Sequence, residues 1–273
     1  MPEHIAIITV VYKNYTVLED FFASLAQQTN HEFHVFAADA SPDKKPIAYK
    51  DLKITTLAIE NKGYAYGINQ AIDAARSKGF TRFAIMNNDT YLDRSFMKTL
   101  GKTMETYPTT LIGAKIYYAS GFEYHKDRYD KKDLGKVFWY AGGIVDWAHA
   151  LTHHRGVDMV DTGQYDKAGT TEFITGCFVA YDETVFQKLG AWDESYFLYY
   201  EDADFSERAK QNNLKLLYEP TLVMYHKNAQ STGGAGSNIH QKFQEKGRLR
   251  YALKYAPLRT KMHILKLALQ GKL

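Results

Sequence analysis

Two polar clusters could carry chemistry in this 273-residue chain. In Asn87-Asn88-Asp89, the carboxylate of Asp89 can bind a hard divalent cation that takes its other ligands from water and substrate phosphates. The segment Glu201–Asp204 places three acids within four positions. Clustered carboxylates repel one another, so one can have a raised pKa and act as a general base towards an incoming hydroxyl.

Each candidate also has a purely structural interpretation. Asn and Asp favour turns, and acids in the first turn of a helix complement its dipole. Asp204 and Arg208 are four residues apart and can simply pair. A lone histidine such as His226 is more often structural than a ligand, although it is a common metal ligand. Trp192 is either a core aromatic or a surface on which a sugar stacks.

The elements that must position these clusters alternate between strand and helix in the first third of the chain. Buried strands are predicted at Ile5–Val11, Glu32–Ala38, Ile54–Ile59 and Arg82–Met86, and helices at Val17–Gln27 and Tyr66–Lys78. Repeated β-α-β units predict an α/β fold with a mostly parallel sheet and helices on both faces. Ligands bind at the carboxyl ends of such strands, where residues 9–14, 39–43 and 87–89 would meet.

The later chain is less regular. Residues 117–171 have weak periodicity, which predicts loops and short strands that can bind a ligand. Strands are predicted at Glu172–Tyr181, Leu214–Tyr218 and Thr221–Tyr225, and helices at Asp182–Leu189 and Asp202–Asn212. Asp182 can cap the first of these helices. Residues 231–237 are typical of a Gly/Ser linker, and the tail after them is helical in composition.

Composition excludes several classes of protein. The net charge of +3 gives no reason to expect nucleic acid as a partner. A lone cysteine, Cys177, excludes an intrachain disulfide and a cysteine-based zinc cluster, and is consistent with a cytoplasmic location. The first apolar run, Ile5–Val11, is too short for a membrane span and lacks the basic flank of a signal peptide, and the sequence has no run of about 18 apolar residues. The phosphate loop, the dinucleotide fingerprint and the G-x-S-x-G elbow are all missing, which argues against an NTPase, a dinucleotide oxidoreductase and that class of hydrolase.

Taken in order, the motifs resemble those of the inverting family 2 glycosyltransferases, which have the GT-A fold, and within them a bacterial rhamnosyl- and galactofuranosyltransferase-like branch. The matching segments are Ile8–Asn14, Ala38–Ser41, Asn61–Asn69, Asn87–Asp89, Thr175–Phe178, Gly190–Glu194 and Tyr200–Asp204. Asn87 stands where the D-x-D metal motif has its first aspartate, which leaves Asp89 as the only carboxylate of that motif.

The resemblance implies a donor site with two parts. Asp89 and His226 would hold Mg²⁺ or Mn²⁺ on the donor diphosphate. The residues expected around the base and ribose of the nucleotide are Thr9, Tyr12, Asp39, Gly63 and Asn88.

On the acceptor side, the resemblance implies that Asp202 is the general base and that one displacement inverts the anomeric centre. Trp192, Glu201 and Asp204 would position the acceptor. The donor would be a UDP- or dTDP-sugar, such as rhamnose, galactofuranose or another hexose. The acceptor would be a hydroxyl of a growing bacterial surface polysaccharide, with a lipid-linked saccharide as one form.

Two other functions remain open on the same residues. One is a non-catalytic protein that binds nucleotide sugars or carbohydrates on the same fold. The other is a nucleotidyltransferase, for which we would expect a Gly-rich, basic phosphate loop near the N-terminus, and none is present.

The expected organisation is a GT-A catalytic domain at 1–230, with a nucleotide-sugar half at 1–116 and an acceptor half at 117–230, followed by a linker and helical tail at 231–273. From Gln241 onwards there are nine Lys or Arg and one acid, Glu245. A basic amphipathic helix can lie on the anionic inner face of the cell membrane. The alternative is a tail that packs on the catalytic domain or on a second subunit of a homo-oligomer.

Overall fold

A computed structural model describes residues 4–228 and 238–273. Its strands are β1 Ile5–Val11, β2 Phe33–Asp39, β3 Ile54–Ala58, β4 Arg82–Met86, β5 Thr90–Leu92, β6 Thr110–Tyr118, β7 Phe138–Tyr140, β8 Gly143–Asp146, β9 Leu151–His154, β10 Gly169–Thr170, β11 Phe178–Asp182 and β12 Lys215–His226. Its α-helices are α1 Leu18–Ala26, α2 Tyr64–Ser77, α3 Phe96–Thr106, α4 Glu183–Leu189, α5 Glu201–Gln211, α6 Asn238–Tyr255 and α7 Leu258–Leu269.

The central sheet has the order β10-β12-β6-β11-β4-β1-β2-β3. Strands β3, β2, β1 and β4 are parallel, and β6 is parallel to β12. Strand β11 lies antiparallel between β4 and β6 and joins the two parallel blocks. The predicted α/β fold with a mostly parallel sheet is therefore confirmed.

Successive side chains of β1 point alternately to the two faces of the sheet and pack in the apolar cluster on each face. Ile7 packs in one apolar cluster with Phe21 of α1, and its neighbour Ile8 packs in the other with Ile68 of α2. A strand buried on both faces favours apolar residues at successive positions, which explains the nearly continuous apolar run of β1, with Thr9 as its one polar residue. Helices cover both faces, as predicted.

Two predicted strands differ in extent. The strand expected at Glu172–Tyr181 begins only at Phe178, because residues 172–177 turn aside to the β8 segment, where the Glu172 carboxylate accepts the Val145 N–H at 2.7 Å. The two strands expected around residues 214–225 are a single strand, β12. Its register shifts between Glu219 and Val223, at the proline that cannot donate a backbone hydrogen bond.

Smaller predictions are confirmed. Residues 117–171 form loops and short strands, including the β8–β9 hairpin. Asp182 caps α4 by accepting the Val185 N–H at 3.1 Å. The linker predicted at residues 231–237 lies outside the described residues.

The tail is helical, as predicted, and one side of it packs on the preceding part of the chain. The ring of Tyr251 in α6 stacks on Trp147 with centroids 5.4 Å apart. The Thr260 hydroxyl of α7 donates to the Trp147 carbonyl at 2.9 Å. Among the described residues, no helix is long and apolar enough to cross a membrane.

Candidate active site

The turn after β4 is fixed by backbone and amide contacts. The Asn87 N–H donates to the Cys177 carbonyl at 3.0 Å, and the Asn88 amide donates to the Val10 carbonyl at the end of β1 at 2.7 Å. Asn88 and Asp89 are both buried. The β4 turn is thus tied both to the nucleotide-side strand β1 and to the segment before β11.

Strand pairing brings Asp89 next to His226. The short strand β5 pairs with the end of β12, with Thr90 opposite His226. The imidazole Nε2 lies 3.2 Å from the Asp89 carboxylate, and both side chains are buried. The Trp139 indole ring and the imidazole pack nearly perpendicular to each other, with centroids 4.4 Å apart.

This pair fits a divalent cation in the chemistry of its donor atoms. A carboxylate oxygen and an imidazole nitrogen suit Mn²⁺, and Mg²⁺ is commonly held by one or two carboxylates together with substrate phosphates. The buried Nδ1 of His226 has no hydrogen-bond partner among the described residues. Within those residues no set of three or more His, Cys, Asp or Glu could hold a metal.

The residues expected around the nucleotide base lie at the ends of β1 and β2. The Asp39 carboxylate accepts the Tyr15 hydroxyl at 2.6 Å and the Ser41 N–H at 2.9 Å. Tyr12 is exposed beside them, whereas Thr9 is fully buried within β1 and its hydroxyl has no partner among the described residues.

Gly63 lies where the donor side meets the segment before α5. Its φ is +110°, and a Cβ there would stand 2.6 Å from the Phe197 carbonyl oxygen. The next residue, Tyr64, donates its N–H to that same carbonyl at 2.8 Å. Only glycine fits this close backbone approach.

Sequence reasoning missed Tyr64, which joins the two polar clusters. Its hydroxyl lies 2.7 Å from the Asn87 side-chain oxygen and 3.0 Å from the Gly176 carbonyl. Burial, and after it the negative charge of Glu201, raises the pKa of Tyr64 well above its ordinary value, so the hydroxyl remains a neutral donor. An aromatic directly after the Asn61–Gly63 turn was the only local signal.

The proposed base lies at the start of α5, where the backbone is strained. Tyr199 and Tyr200 have φ values of +67° and +69°, a region that costs a non-glycine residue about 1–3 kcal/mol. The Asp202 carboxylate then accepts two backbone N–H groups at 2.8 Å, from Gly176 and from Ala203. Burial raises the pKa of Asp202, and these donors oppose the shift by stabilising the anion.

Glu201 is the buried neighbour of the proposed base. Burial, and then the negative charge of Asp202, raises the pKa of Glu201 well above its ordinary value. Its Oε2 has no hydrogen-bond partner among the described residues. The backbone donors favour the anionic form of Asp202, whereas the Oε2 of Glu201 has no such donor, so Glu201 is the weaker acid of the pair.

Two residues expected at the acceptor lie in the interior instead. The side chain of Trp192 is 2% exposed, stacks on Phe205 and donates its indole N–H to the Tyr181 hydroxyl at 3.0 Å. Asp204 is 0% exposed and accepts Arg208 at 2.9 Å and the Tyr255 hydroxyl at 2.8 Å. Neither has surface available to a sugar, so we leave both out of the acceptor site.

Comparison with known proteins identifies the family. The model of glycosyl transferase family 2 matches residues 6–190, well over half of the chain. The chain therefore belongs to this family. A comparison with curated protein sequences gave no match.

Solved glycosyltransferase structures share the fold. GalNAc-T7 with UDP, GalNAc and Mn²⁺ has a TM-score of 0.66 at 15% identity, over 92% of this chain and 47% of that one. The Pyrobaculum calidifontis mannosyltransferase PcManGT, in complex with GDP-Man and Mn²⁺, has a TM-score of 0.57 at 16% identity, over 97% and 69%. S. aureus TarS has a TM-score of 0.55 at 14% identity, over 98% and 43%. The chain thus spans less than half the length of GalNAc-T7 and TarS, and these likenesses show the GT-A fold alone.

Proposed function

We propose that this chain is an inverting glycosyltransferase that moves a sugar from a nucleoside-diphosphate donor to an acceptor hydroxyl. The observation that carries the proposal is a continuous set of contacts from Asn87, through the Tyr64 hydroxyl and Gly176, to the Asp202 carboxylate. These contacts hold the proposed donor turn close to the proposed base, so that a bound donor and a bound acceptor hydroxyl can react with each other.

On the donor side, Asp89 and His226 would hold Mg²⁺ or Mn²⁺. When bound, such a cation neutralises negative charge on the departing nucleoside diphosphate. Asp39 and Tyr12 line the proposed nucleotide site, and Asn88 holds its wall in place through Val10. The structures of GalNAc-T7 with UDP, GalNAc and Mn²⁺ and of PcManGT with GDP-Man and Mn²⁺ support this assignment.

On the acceptor side, Asp202 takes the proton from the attacking hydroxyl. That oxygen forms the new bond to the anomeric carbon as the bond to the diphosphate breaks on the opposite face. A single displacement of this kind inverts the centre. Glu201 lies beside the base and is the weaker acid of the pair.

For the substrates, we propose a UDP- or dTDP-sugar donor, with rhamnose, galactofuranose or another hexose as the sugar, and a hydroxyl of a bacterial surface polysaccharide as the acceptor. The test is a panel of nucleotide sugars incubated with Mn²⁺, with nucleoside diphosphate release as the readout. The proposal requires that wild type turns over at least one donor and that Asp202→Asn does not. If wild type binds donors but releases no nucleoside diphosphate from any of them, the non-catalytic binding function replaces this one.

We also propose that α7 lies on the inner face of the cell membrane. Four of its apolar residues, spaced four, three and four positions apart, form one exposed stripe, with exposures of 74% for Leu258, 67% for Met262, 41% for Leu265 and 85% for Leu269. No acid follows Glu245 in the chain, so the surroundings of the stripe are basic. Apolar insertion and about 1 kcal/mol per nearby Lys or Arg would both favour an anionic bilayer.

Flotation with vesicles tests this contact. Wild type should float with phosphatidylglycerol vesicles and not with phosphatidylcholine vesicles. Leu258→Gln combined with Leu265→Gln should reduce flotation at least tenfold, since burying each leucine contributes about 1.5–3 kcal/mol. The matched control is Tyr124→Gln, which changes an exposed aromatic outside the tail. Equal flotation of all three proteins would exclude the stripe as the contact.

A further inference from the structure

A groove of about 750 Å³ lies between α6 and the segment that precedes α5. Its volume is within the range of small-molecule sites. The side chains and backbone that line it are mainly apolar and basic, and no acid is among the described lining residues, which are Ser195, Tyr196, Phe197, Leu198, Tyr199, Phe243, Lys246, Gly247, Leu249, Arg250, Leu253 and Lys254.

The groove is continuous with the candidate active site. The carbonyl of Phe197, in the wall of the groove, accepts the Tyr64 N–H at 2.8 Å. The groove therefore contacts Tyr64, the residue that joins the two polar clusters. The wall ends at Tyr199, three residues before Asp202. On the opposite side α6 approaches so closely that a Cβ on Gly247 would stand 2.8 Å from the Tyr199 carbonyl oxygen.

Two cations of the groove are uncompensated. Lys254 is neutralised by Asp193 and Asp204. Lys246 and Arg250, one turn apart on α6, are exposed and form no ion pair with any described carboxylate. An uncompensated positive pair of this kind attracts a phosphate group.

Apolar surface lies beside these cations. The rings of Phe197 and Phe243 stack with centroids 4.8 Å apart, and Leu253 is partly exposed on the same helix. A ligand that matches the groove therefore needs an anionic group next to a hydrocarbon chain. A free sugar offers neither, and an inorganic anion offers only the first.

We propose that this groove binds the phosphate-linked hydrocarbon end of a lipid-linked acceptor, with the saccharide end directed past Tyr199 towards Asp202. The inference rests on the proposed glycosyl transfer and adds to it the chemical class of the acceptor. Lys246 and Arg250 bind the phosphate, and Phe197, Phe243 and Leu253 contact the start of the chain.

Calorimetric titration with dodecyl phosphate, below the concentration at which it forms micelles, tests the groove. Dodecyl phosphate should bind at least tenfold more tightly than inorganic phosphate, which lacks the hydrocarbon chain, and than dodecyl maltoside, which lacks the phosphate. Lys246→Gln combined with Arg250→Gln should weaken binding about tenfold, as expected for the loss of charge-assisted hydrogen bonds. The matched control is Lys242→Gln on the same helix, outside the groove lining.

Three controls keep the outcomes distinct. Leu258→Gln with Leu265→Gln should leave binding unchanged, which separates the groove from the α7 stripe. Bound dodecyl phosphate should protect Lys246 of wild type from acetylation, and this readout does not depend on the folding of any variant. Nucleotide binding, measured on the same samples, reports on the donor site independently, so its absence would remove the proposed function and leave the groove result standing.

Binding of dodecyl phosphate that is equal in wild type and in the double variant, or no protection of Lys246, would overturn the proposal. So would light scattering that shows a dimer which the groove substitutions dissociate, because a second copy of the chain would then occupy the groove.

Discussion

Replacement of Asp202 by asparagine separates its chemical role from its structural one. The carboxylate accepts backbone N–H groups from Gly176 and Ala203, each at 2.8 Å. An amide of the same shape has one oxygen, so one of those buried N–H groups loses its acceptor, which costs about 1–3 kcal/mol. The substitution also removes the repulsion between Asp202 and Glu201. These effects oppose one another, and we expect the free energy of unfolding to change by no more than about 2 kcal/mol.

The effect of Asp202→Asn on the reaction should be much larger. A general base contributes about 10²- to 10⁴-fold to a rate, which corresponds to about 3–5 kcal/mol of transition-state stabilisation. The assay is nucleoside diphosphate release under single-turnover conditions, with calorimetry of nucleotide binding on the same samples. The rate should fall by at least about 100-fold while nucleotide affinity stays within a factor of about three. A folded variant that keeps more than a tenth of the wild-type rate would refute the role of Asp202.

The pH profile gives the same assignment a second readout. Because the base acts only when deprotonated, and burial raises the pKa of Asp202, the wild-type rate should rise with pH through a value above the ordinary 3.8. Asp202→Asn should lose that rise. A rise that persists in the variant would assign it to another group.

Three further predictions concern stability. Glu201→Gln should be more stable than wild type above pH 4.5, and the difference in the free energy of unfolding should grow as the pH rises and vanish below pH 4.5. The reason is that the pKa of Glu201 is raised in the folded state, so wild type loses stability as this carboxyl is deprotonated. Denaturant titration at several pH values checks this, and a difference that does not change with pH would contradict it. Gly63→Ala should lower the free energy of unfolding by about 1–3 kcal/mol more than Gly79→Ala, since both have positive φ but only Gly63 faces a backbone oxygen. Burial lowers the pKa of His154 from 6.5 to about 4, so wild type should lose about 3 kcal/mol as pH falls between these values, because the unfolded chain takes up the proton first. His154→Asn should lack this loss in acid denaturation curves.

Local patterns predicted the elements that are buried on both faces. Strands β1 and β4 have the predicted bounds, because each strand coincides with a continuous run of mainly apolar residues whose ends are clear in the sequence. The sequence pattern predicts no element in residues 91–116, although α3 and most of β6 lie there. The apolar residues of α3 are mixed with Thr, Lys and Gly, which weakens the helical pattern.

The candidate site was harder to predict because its contacts are long-range. The 3.2 Å approach of His226 to Asp89 depends on the pairing of β5 with β12, across more than 130 residues, and only the family resemblance suggested it. The role of Tyr64 likewise depends on a long-range contact, the hydrogen bond from its hydroxyl to the Gly176 carbonyl. Trp192 illustrates the opposite case, because the family resemblance implied a place at the acceptor while tertiary packing buries the side chain on Phe205.

The most direct test of the central claim is proton NMR of donor breakdown over time. A nucleotide sugar that the panel identifies as a donor is incubated with wild type and Mn²⁺, and the anomer that appears first is recorded before the free sugar equilibrates. Attack by water, with Asp202 as base, predicts the inverted anomer first and no product once a chelator is added. Release of the retained anomer, or undiminished turnover with the chelator present, would contradict the account.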